Sequence, residues 1–515
     1  MKNYYTLLLK YLEGRIGFVY LALLLAILVD RMNTFLRFAI VYTDSDQTLL
    51  WQVSKDLMNG VMHGPCFYGQ SYNPIVEPLF ALPFLHFSLE YSTALALATT
   101  FLSIFPFLLL SFYLYKKVDS LTGLLPLIIL LLMSVEYGML TSISRGFVAG
   151  IFFAIIGLLL LAFHKSFFLK FLGGAFLGLG VYANPNCVLL MPILLPFFPN
   201  SKKELFVFLK PMILGLLLGV LLLGFNAMYY NQHAEMIIHG APVIKLSLSS
   251  FFKVLGKLDN YFDFVTPIFW RAGWISLSLF IIISIRLWRF KLRRESITLI
   301  LLFTLIVLSF SVSKISDGTN SVFFSGSRMY LAYPYLLIFV FIFLTKTLSR
   351  HKNIPLYGSL VILALITVFI KVLAFDQLLQ HALRGSANTI VQVIPVKELK
   401  NTCKEIVSFS DVKTDLILAN SGNTAAQLIT YGCPCLIADF PKTIQPLYER
   451  RTWLMPKTMN EVYHRILIHG KDTSVWNNMR LNDLQIIKTN KEKSWLIINN
   501  KLNTRDLLRQ TRLIK

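Results

Sequence analysis

The sequence predicts an α-helical polytopic membrane protein that carries a small C-terminal α/β domain. Three observations predict it. Of 515 residues, 55% are hydrophobic and only 15% charged, with a mean hydropathy of +0.62. Soluble domains carry about 25% charged residues, so these few charges cannot build a water-facing surface at this length. Apolar runs long enough for a ~30 Å hydrocarbon core recur from residue 16 to about 374. Beyond Asp376 the chain turns polar and strand-like runs appear. A purely soluble enzyme, a disordered chain and a disulfide-rich secreted module are thereby excluded. The composition divides the chain into 1–375, a transmembrane part with a large first outer loop at 30–90, and 376–515, a soluble extracytoplasmic domain.

The first apolar run is Ile16 to Val29, preceded by Lys2, Lys10 and Arg15. No small-residue cleavage site follows it, so it reads as an uncleaved signal anchor with the N-terminus inside. A stretch from Asp30 to Glu90 comes next, too rich in Pro, Asn, Asp and Gln to lie in lipid. Further spans are readable at 91–115, 122–138, 143–163, 168–182, 186–199, 207–227, 271–289, 297–313, 329–345 and 354–374, about eleven in all. The pair around Asn184-Pro185-Asn186 is short, and helices can break there within a membrane.

The net charge of +22 resembles a nucleic-acid signal, but no nucleic-acid fold or motif accompanies it, and nucleic acid is not an expected partner. In a membrane protein, Lys and Arg collect in cytoplasmic loops. With the N-terminus inside, the inner connections carry Lys116-Lys117, His164-Lys165, Lys202-Lys203, Arg286 to Arg294 and Lys346 to Lys352. Every one is basic. An odd number of spans then puts the C-terminal domain outside. Membrane lipid is an expected partner of these basic faces.

The C-terminal domain offers strand-like runs at Asp415 to Ala419 and Cys435 to Ala438, with a helical stretch from Thr424 to Tyr431 between them. Its cysteines leave two readings open: a bond from Cys403 to Cys433 or Cys435, or free thiols in a small core. The spacing of Cys433-Pro434-Cys435 fits neither a zinc ribbon nor a CxxC redox pair.

Chemistry concentrates in the first outer loop. Asp44-Ser45-Asp46-Gln47 places two carboxylates one residue apart beside the membrane. Such a pair can hold a divalent cation, Mg or Mn, or supply a general base. The plain alternative is a helix N-cap at Asp46. Further on, Tyr68-Gly69-Gln70-Ser71-Tyr72-Asn73-Pro74 and Glu77-Pro78 gather aromatics, amides and an acid. Aromatic faces stack on sugars and amides bond their hydroxyls. An interfacial aromatic belt accounts for the tyrosines but not for the amides and Glu77.

An acidic pair after the first span, a Tyr-Gly-Gln-x-Tyr segment and a Glu-Pro opening a hydrophobic hairpin resemble the C-type integral membrane glycosyltransferases. These include the protein O-mannosyltransferases and aminoarabinose transferases. The resemblance covers about residues 1–375. It implies transfer of a sugar from a polyprenyl-phosphate-linked donor to an acceptor glycolipid, glycan or protein at the outer face of a cell inner membrane. It gives the base role to Asp44 or Asp46, with a metal as an added role for the pair. The commoner family form is Asp-Glu; this chain has Asp46-Gln47, so which Asp is the base stays open.

A phosphate leaving group calls for cations. Arg145, in Ser144-Arg145-Gly146, opens the fourth span at the outer side, Arg328, in Ser327-Arg328-Met329-Tyr330, opens the tenth, and both are the phosphate candidates. Both residues also suit snorkelling interface anchors. Tyr68, Gln70, Tyr72, Glu77 and Tyr330 are the substrate-binding candidates. Arg271 and Lys314 read as ordinary interface charges, and His233 and His239 as solvated loop histidines. Glu136 is an ionisable group near membrane depth. Gln445 to Arg451 reads as a solvated helix face, with acceptor or donor headgroup contact as the other reading. Two rival functions remain open from sequence: a transporter or lipid flippase without covalent chemistry, and a non-catalytic relative.

Overall fold

A computed structural model describes residues 2–237, 240, 245–318, 321–386, 392–408, 414–420, 423–444, 455–470, 484–488, 494–499 and 501–510. In chain order its helices are α1 (Lys2–Thr34), α2 (Ser45–Met58), α3 (Val76–His86), α4 (Tyr91–Lys117), α5 (Leu125–Leu132), α6 (Val135–Ser142) and α7 (Phe147–Phe163). Then come α8 (Phe167–Ala183), α9 (Lys202–Gln232), α10 (Leu248–Gly256), α11 (Leu258–Phe262), α12 (Gly273–Arg289), α13 (Arg293–Ser309), α14 (Tyr333–Thr345) and α15 (Arg350–Ser386). The last are α16 (Val396–Ser408), α17 (Asn423–Gln427) and α18 (Cys433–Leu436), before two short C-terminal helices. The strands are β1 (Tyr42–Thr43), β2 (Ile394–Pro395), β3 (Leu416–Asn420), β4 (Lys442–Ile444), β5 (Arg465–Gly470), β6 (Leu484–Lys488) and β7 (Ser494–Asn499).

The chain forms two compact units. One comprises Met1–Phe38, Thr99–Leu223 and Pro242–Ser386; the other comprises Ala39–Ala98, Gly224–Ala241 and Ala387–Lys515. Among the described residues four helices, Arg15–Ala39, Tyr91–Lys117, Lys202–Gln232 and Asn353–Ser386, are long and apolar enough to cross a membrane. The bent pair of α6 and α7 adds a fifth, broken at 95°. These helices turn large apolar side chains outward, among them Phe18, Leu221, Phe225 and Phe369. In water that exposure is costly; in lipid it costs nothing. The chain is an integral membrane protein.

In the first unit, the first span runs further than its hydropathy suggests. The expected polar loop begins at residue 30, but α1 continues through Thr34 and a wider turn to Ala39. The reason is a distant partner. Lys371 of α15, 1% exposed, meets Asp30 at 2.7 Å, and Arg31 lies 3.5 Å from the same carboxylate. Paired in this way, both charges stay inside the helix bundle.

The expected span at 122–138 is broken at Met133, whose backbone is extended, and Ser134 caps the new helix by accepting from the Tyr137 N–H at 3.2 Å. The carbonyls freed at the break find donors: Ile268 N–H on Leu132 at 2.9 Å and Lys371 Nζ on Met133 at 3.2 Å. Backbone breaks at membrane depth require such partners. The expected span at 186–199 is a 3₁₀ run, Pro185–Phe197, whose internal Pro192 and Pro196 lack the N–H an α-helix needs. Elsewhere small residues let helices meet closely. A methyl on Gly157 would stand 2.6 Å from the Gly173 carbonyl of α8, and one on Gly219 of α9 would stand 2.6 Å from Gly178 O.

The second unit is built on a five-stranded sheet in the order β4-β3-β5-β7-β6. β4, β3 and β5 are parallel; β7 runs antiparallel to β5 and β6. Side chains alternate across strands, and both faces are buried. Leu416, Leu418, Ile466 and Ile468 enter one core with Leu507 and Leu508. Ile417, Ala419 and Leu467 enter the other, with Leu49, Leu50, Trp51 and Val53 of α2 and Leu399 and Ile406 of α16. The first loop and the C-terminal segment therefore share one core. Trp51, 2% exposed, anchors it; removing such a side chain costs about 3–5 kcal/mol.

The expected helix at 424–431 is present as α17 and the turn that follows it, and β3 matches the first expected strand. The second differs. Cys433 to Leu436 is helical, because Pro434 in a first helical turn lacks no needed N–H; the strand comes later, at β4. Cys403 is bonded to Cys433, 30 residues away. Closing a loop of that length stabilises the fold by about 3–4 kcal/mol on the chain-entropy account.

Candidate functional site

In the second unit the acidic pair sits where an extended segment becomes a helix. Asp44, fully buried, has φ −132 and ψ 179 and accepts from the Gln47 N–H at 2.9 Å. It is the N-cap of α2, the role sequence reasoning offered to Asp46. Asp46 lies in the first helical turn and is half-buried. The helix dipole favours both anions there.

Residues 65–75 fold into a tight turn. Phe67 N–H donates to Asn73 O at 2.9 Å, Gln70 N–H to Phe67 O at 2.8 Å, and Asn73 Nδ2 to Gln70 Oε1 at 3.0 Å. Gly69 and Asn73 take the left-handed conformations, φ 82 and 60, that reverse the chain. Tyr68 is buried, Gln70 and Tyr72 half-buried, and Glu77 fully buried in the first turn of α3. Burial raises the Tyr72 phenol, and the charge of Asp46 raises it further. Asp46 and Tyr72 are thus brought into one electrostatic environment.

Sequence reasoning missed the groups that hold this turn. Asn226, an amide in the apolar run of α9, donates from Nδ2 to Ser71 O at 2.7 Å and accepts from Cys66 Sγ at 3.2 Å. Tyr229 donates to His63 O at 2.8 Å. A lone amide in an apolar helix was the available signal. His63 and Asp56 were missed as well. Their Nε2 and Oδ2 lie 3.8 Å apart. Burial raises Asp56 and lowers His63, each against the pull of the other's charge. His233 stacks on Tyr229 at 4.4 Å; His239 and Gln445 to Arg451 lie outside the described residues.

The first unit holds the cations. Arg145 sits at the break before α7, where Gly146 takes φ 80. Its guanidinium donates to Phe323 O. Arg328 donates to Phe324 O at 2.9 Å, Ser325 O at 2.7 Å and Asp317 O at 3.2 Å, and lies 3.8 Å above the Phe324 ring. Both arginines thus bond carbonyls of the stretch from Phe323 to Ser325 and are buried there. Burial first, and the Arg328 charge second, lower the Lys314 ammonium. Arg145, Arg328 and Lys314 form one cationic cluster in which Asp317 is the acid acting on Arg328 and Lys314.

Tyr330 is 1% exposed, its hydroxyl 2.8 Å from Ser309 Oγ and its ring stacked on Phe262. Arg271 is not a plain interface charge: it binds Glu136 at 2.9 Å and lies 3.6 Å from Asp263. Glu136 is thereby neutralised inside the unit. Among the described residues, no group of three or more His, Cys, Asp or Glu is arranged to hold a metal ion. Asp44 and Asp46 are a pair only, and one carboxylate oxygen of Asp44 is committed to the helix cap.

The fold has solved neighbours. It is shared with the crystal structure of ArnT from Cupriavidus metallidurans bound to undecaprenyl phosphate, at TM-score 0.56 and 10% identity, over 94% of this chain and 98% of that one. The apo form of the same protein gives TM-score 0.55 and 10% identity, over 95% and 98%. No protein-family model matches the sequence, and no curated protein matches it.

Proposed function

We propose that this chain is an inverting glycosyltransferase that moves a sugar from a polyprenyl-phosphate-linked donor to an acceptor glycolipid, glycan or protein at the outer face of the membrane. The observation that carries the reading is a fold shared along nearly the whole chain with a protein crystallised on undecaprenyl phosphate. The acidic turn at the start of α2 gives the reading its chemistry. Asp44 or Asp46 takes the proton of the acceptor hydroxyl or amine as that group attacks the anomeric carbon. The new bond forms as the bond from that carbon to the phosphate oxygen breaks, and the polyprenyl phosphate leaves as an anion. Arg145 and Arg328, with Lys314 beside them, stabilise that charge. Tyr68, Gln70, Tyr72, Glu77 and Tyr330 shape the sugar or acceptor side. In this reading 1–375 is the transferase body and 376–515 an extracytoplasmic domain.

The test is sugar release from a panel of polyprenyl-phosphate sugars by purified protein, comparing wild type with Asp44→Asn and Asp46→Asn. A base should lose about 10²–10⁴ of its rate when amidated. Turnover abolished by one substitution and only weakened by the other names the base. No turnover on any donor, with donor binding intact in all three proteins, overturns the reading in favour of a carrier or flippase.

A further inference from the structure

The tail meets the segment around the acidic turn at five points. β2 pairs antiparallel with β1, Thr43 opposite Ile394, directly before Asp44. The Val396 N–H donates to Val41 O at 2.8 Å. Lys55 Nζ of α2 donates to Pro434 O at 2.7 Å, and Cys435 Sγ donates to Gln52 Oε1 at 3.8 Å. Gly432 faces Thr48, whose N–H donates to Asp44 O at 3.1 Å. α16, which follows β2, and α18, which follows Gly432, are joined by the Cys403–Cys433 bond. Thus β2 grips the segment entering the turn, and α18 grips the helix leaving it.

We propose that β2, α16 and the segment from Gly432 through α18 are the positioning device for the Asp44–Asp46 turn, with the Cys403–Cys433 bond as its staple. This rests on the glycosyltransferase reading for its functional consequence. The tail touches no reacting atom; it fixes the direction in which the N-terminus of α2 presents its carboxylates. A shift of about 1 Å at such a group can cost 10²-fold in rate. Gly432 gives the idea a sharp test. Its backbone has φ −82, so alanine there is unstrained. A methyl at that position would lie 3.0 Å from Thr48 Cγ2 and 2.8 Å from Leu399 Cδ2, so it pushes on α2 directly.

The experiment uses the full chain in detergent, with two readouts. In the first, hydrogen–deuterium exchange is followed over residues 42–58 before and after reduction by TCEP, with thiol mass confirming that the bond has opened. Faster exchange over 42–58, with the helices of the first unit unchanged, is expected. In the second, Gly432→Ala should lower kcat about tenfold on a donor the wild type uses, with KM within about twofold. Gly432→Ala combined with Thr48→Ser, which removes the opposing methyl, should regain most of the loss. A kcat unmoved by Gly432→Ala, or a folded double variant that regains nothing, overturns the proposal. If the wild type uses no donor, the glycosyltransferase reading falls and the exchange readout alone decides. Reduction-dependent exchange of 42–58 then supports the coupling, and unchanged exchange sinks it.

Discussion

A carboxylate that caps a helix accepts from backbone N–H groups, and that task does not need a negative charge. Asparagine caps about as well as aspartate, whereas alanine costs about 1 kcal/mol. This separates the structural role of Asp44 from a chemical one. Asp44→Asn should unfold within about 0.5 kcal/mol of wild type, and Asp44→Ala should be about 1 kcal/mol less stable by denaturant titration. If Asp44 is the base, both lose turnover alike; if it is only the cap, Asp44→Asn remains active and Asp46→Asn does not. The sequence made both acids visible but not their division of labour. The local pattern Asp-x-x-Gln from Asp44 to Gln47 fits a cap at Asp44, yet the helix start could be drawn at either acid. The turn at 65–75 was legible as a polar, aromatic cluster. Its clamp by Asn226 was not, because the partner lies 155 residues away.

Long apolar elements were readable because hydropathy sums over many residues. The break at Asn184 was marked by the proline that follows it, but those at Met133 and Gly146 were not, because each changes only a few residues in an apolar window. Charges inside spans misled in the same way: Asp30 alone marks the end of a helix, and only its pairing with Lys371, 2.7 Å away, lets α1 continue. That pair yields a prediction about helix packing. Leaving one buried charge without its partner costs about 3–5 kcal/mol, while replacing both is often close to neutral. Arg31 shares the Asp30 carboxylate at 3.5 Å, so Lys371→Met should lower stability, Asp30→Asn, which strips both cations of their acid, should lower it more, and the two together should lose less than the sum of the singles. Lys371 also binds the Met133 carbonyl and Arg31 loses its acid in the double variant, which should therefore fall short of wild type by more than about 1–3 kcal/mol, the cost of one buried acceptor left without a donor. Additive losses in a thermal unfolding series would show that the two groups do not act as a pair.

Two independent physical arguments bear on how the whole chain is oriented in its membrane. The first is charge: the connection between α12 and α13 carries Arg286, Arg289, Lys291, Arg293 and Arg294, the densest basic segment in the first unit. Such connections are retained on the cytoplasmic side. The second is redox chemistry: the Cys403–Cys433 bond belongs to a compartment that allows disulfides to persist, which the cytoplasm of most cells does not. On these grounds, which rest on different residues and different forces, we propose that the basic connection lies inside and the C-terminal domain outside. Single cysteines at exposed positions test them together. In a chain carrying Cys435→Ser, Lys397→Cys on α16 should react with a membrane-impermeant maleimide in intact spheroplasts. Arg289→Cys, at the end of α12, should react only after the membrane is opened. The opposite labelling pattern would place Asp44, Asp46 and the disulfide in the cytoplasm, and an outer-face reaction would then be untenable. Labelling of both positions in intact cells would break the link between the basic connection and the inner side. Labelling confined to Lys397→Cys would put the acidic turn, its staple and the proposed acceptor on one side of the membrane.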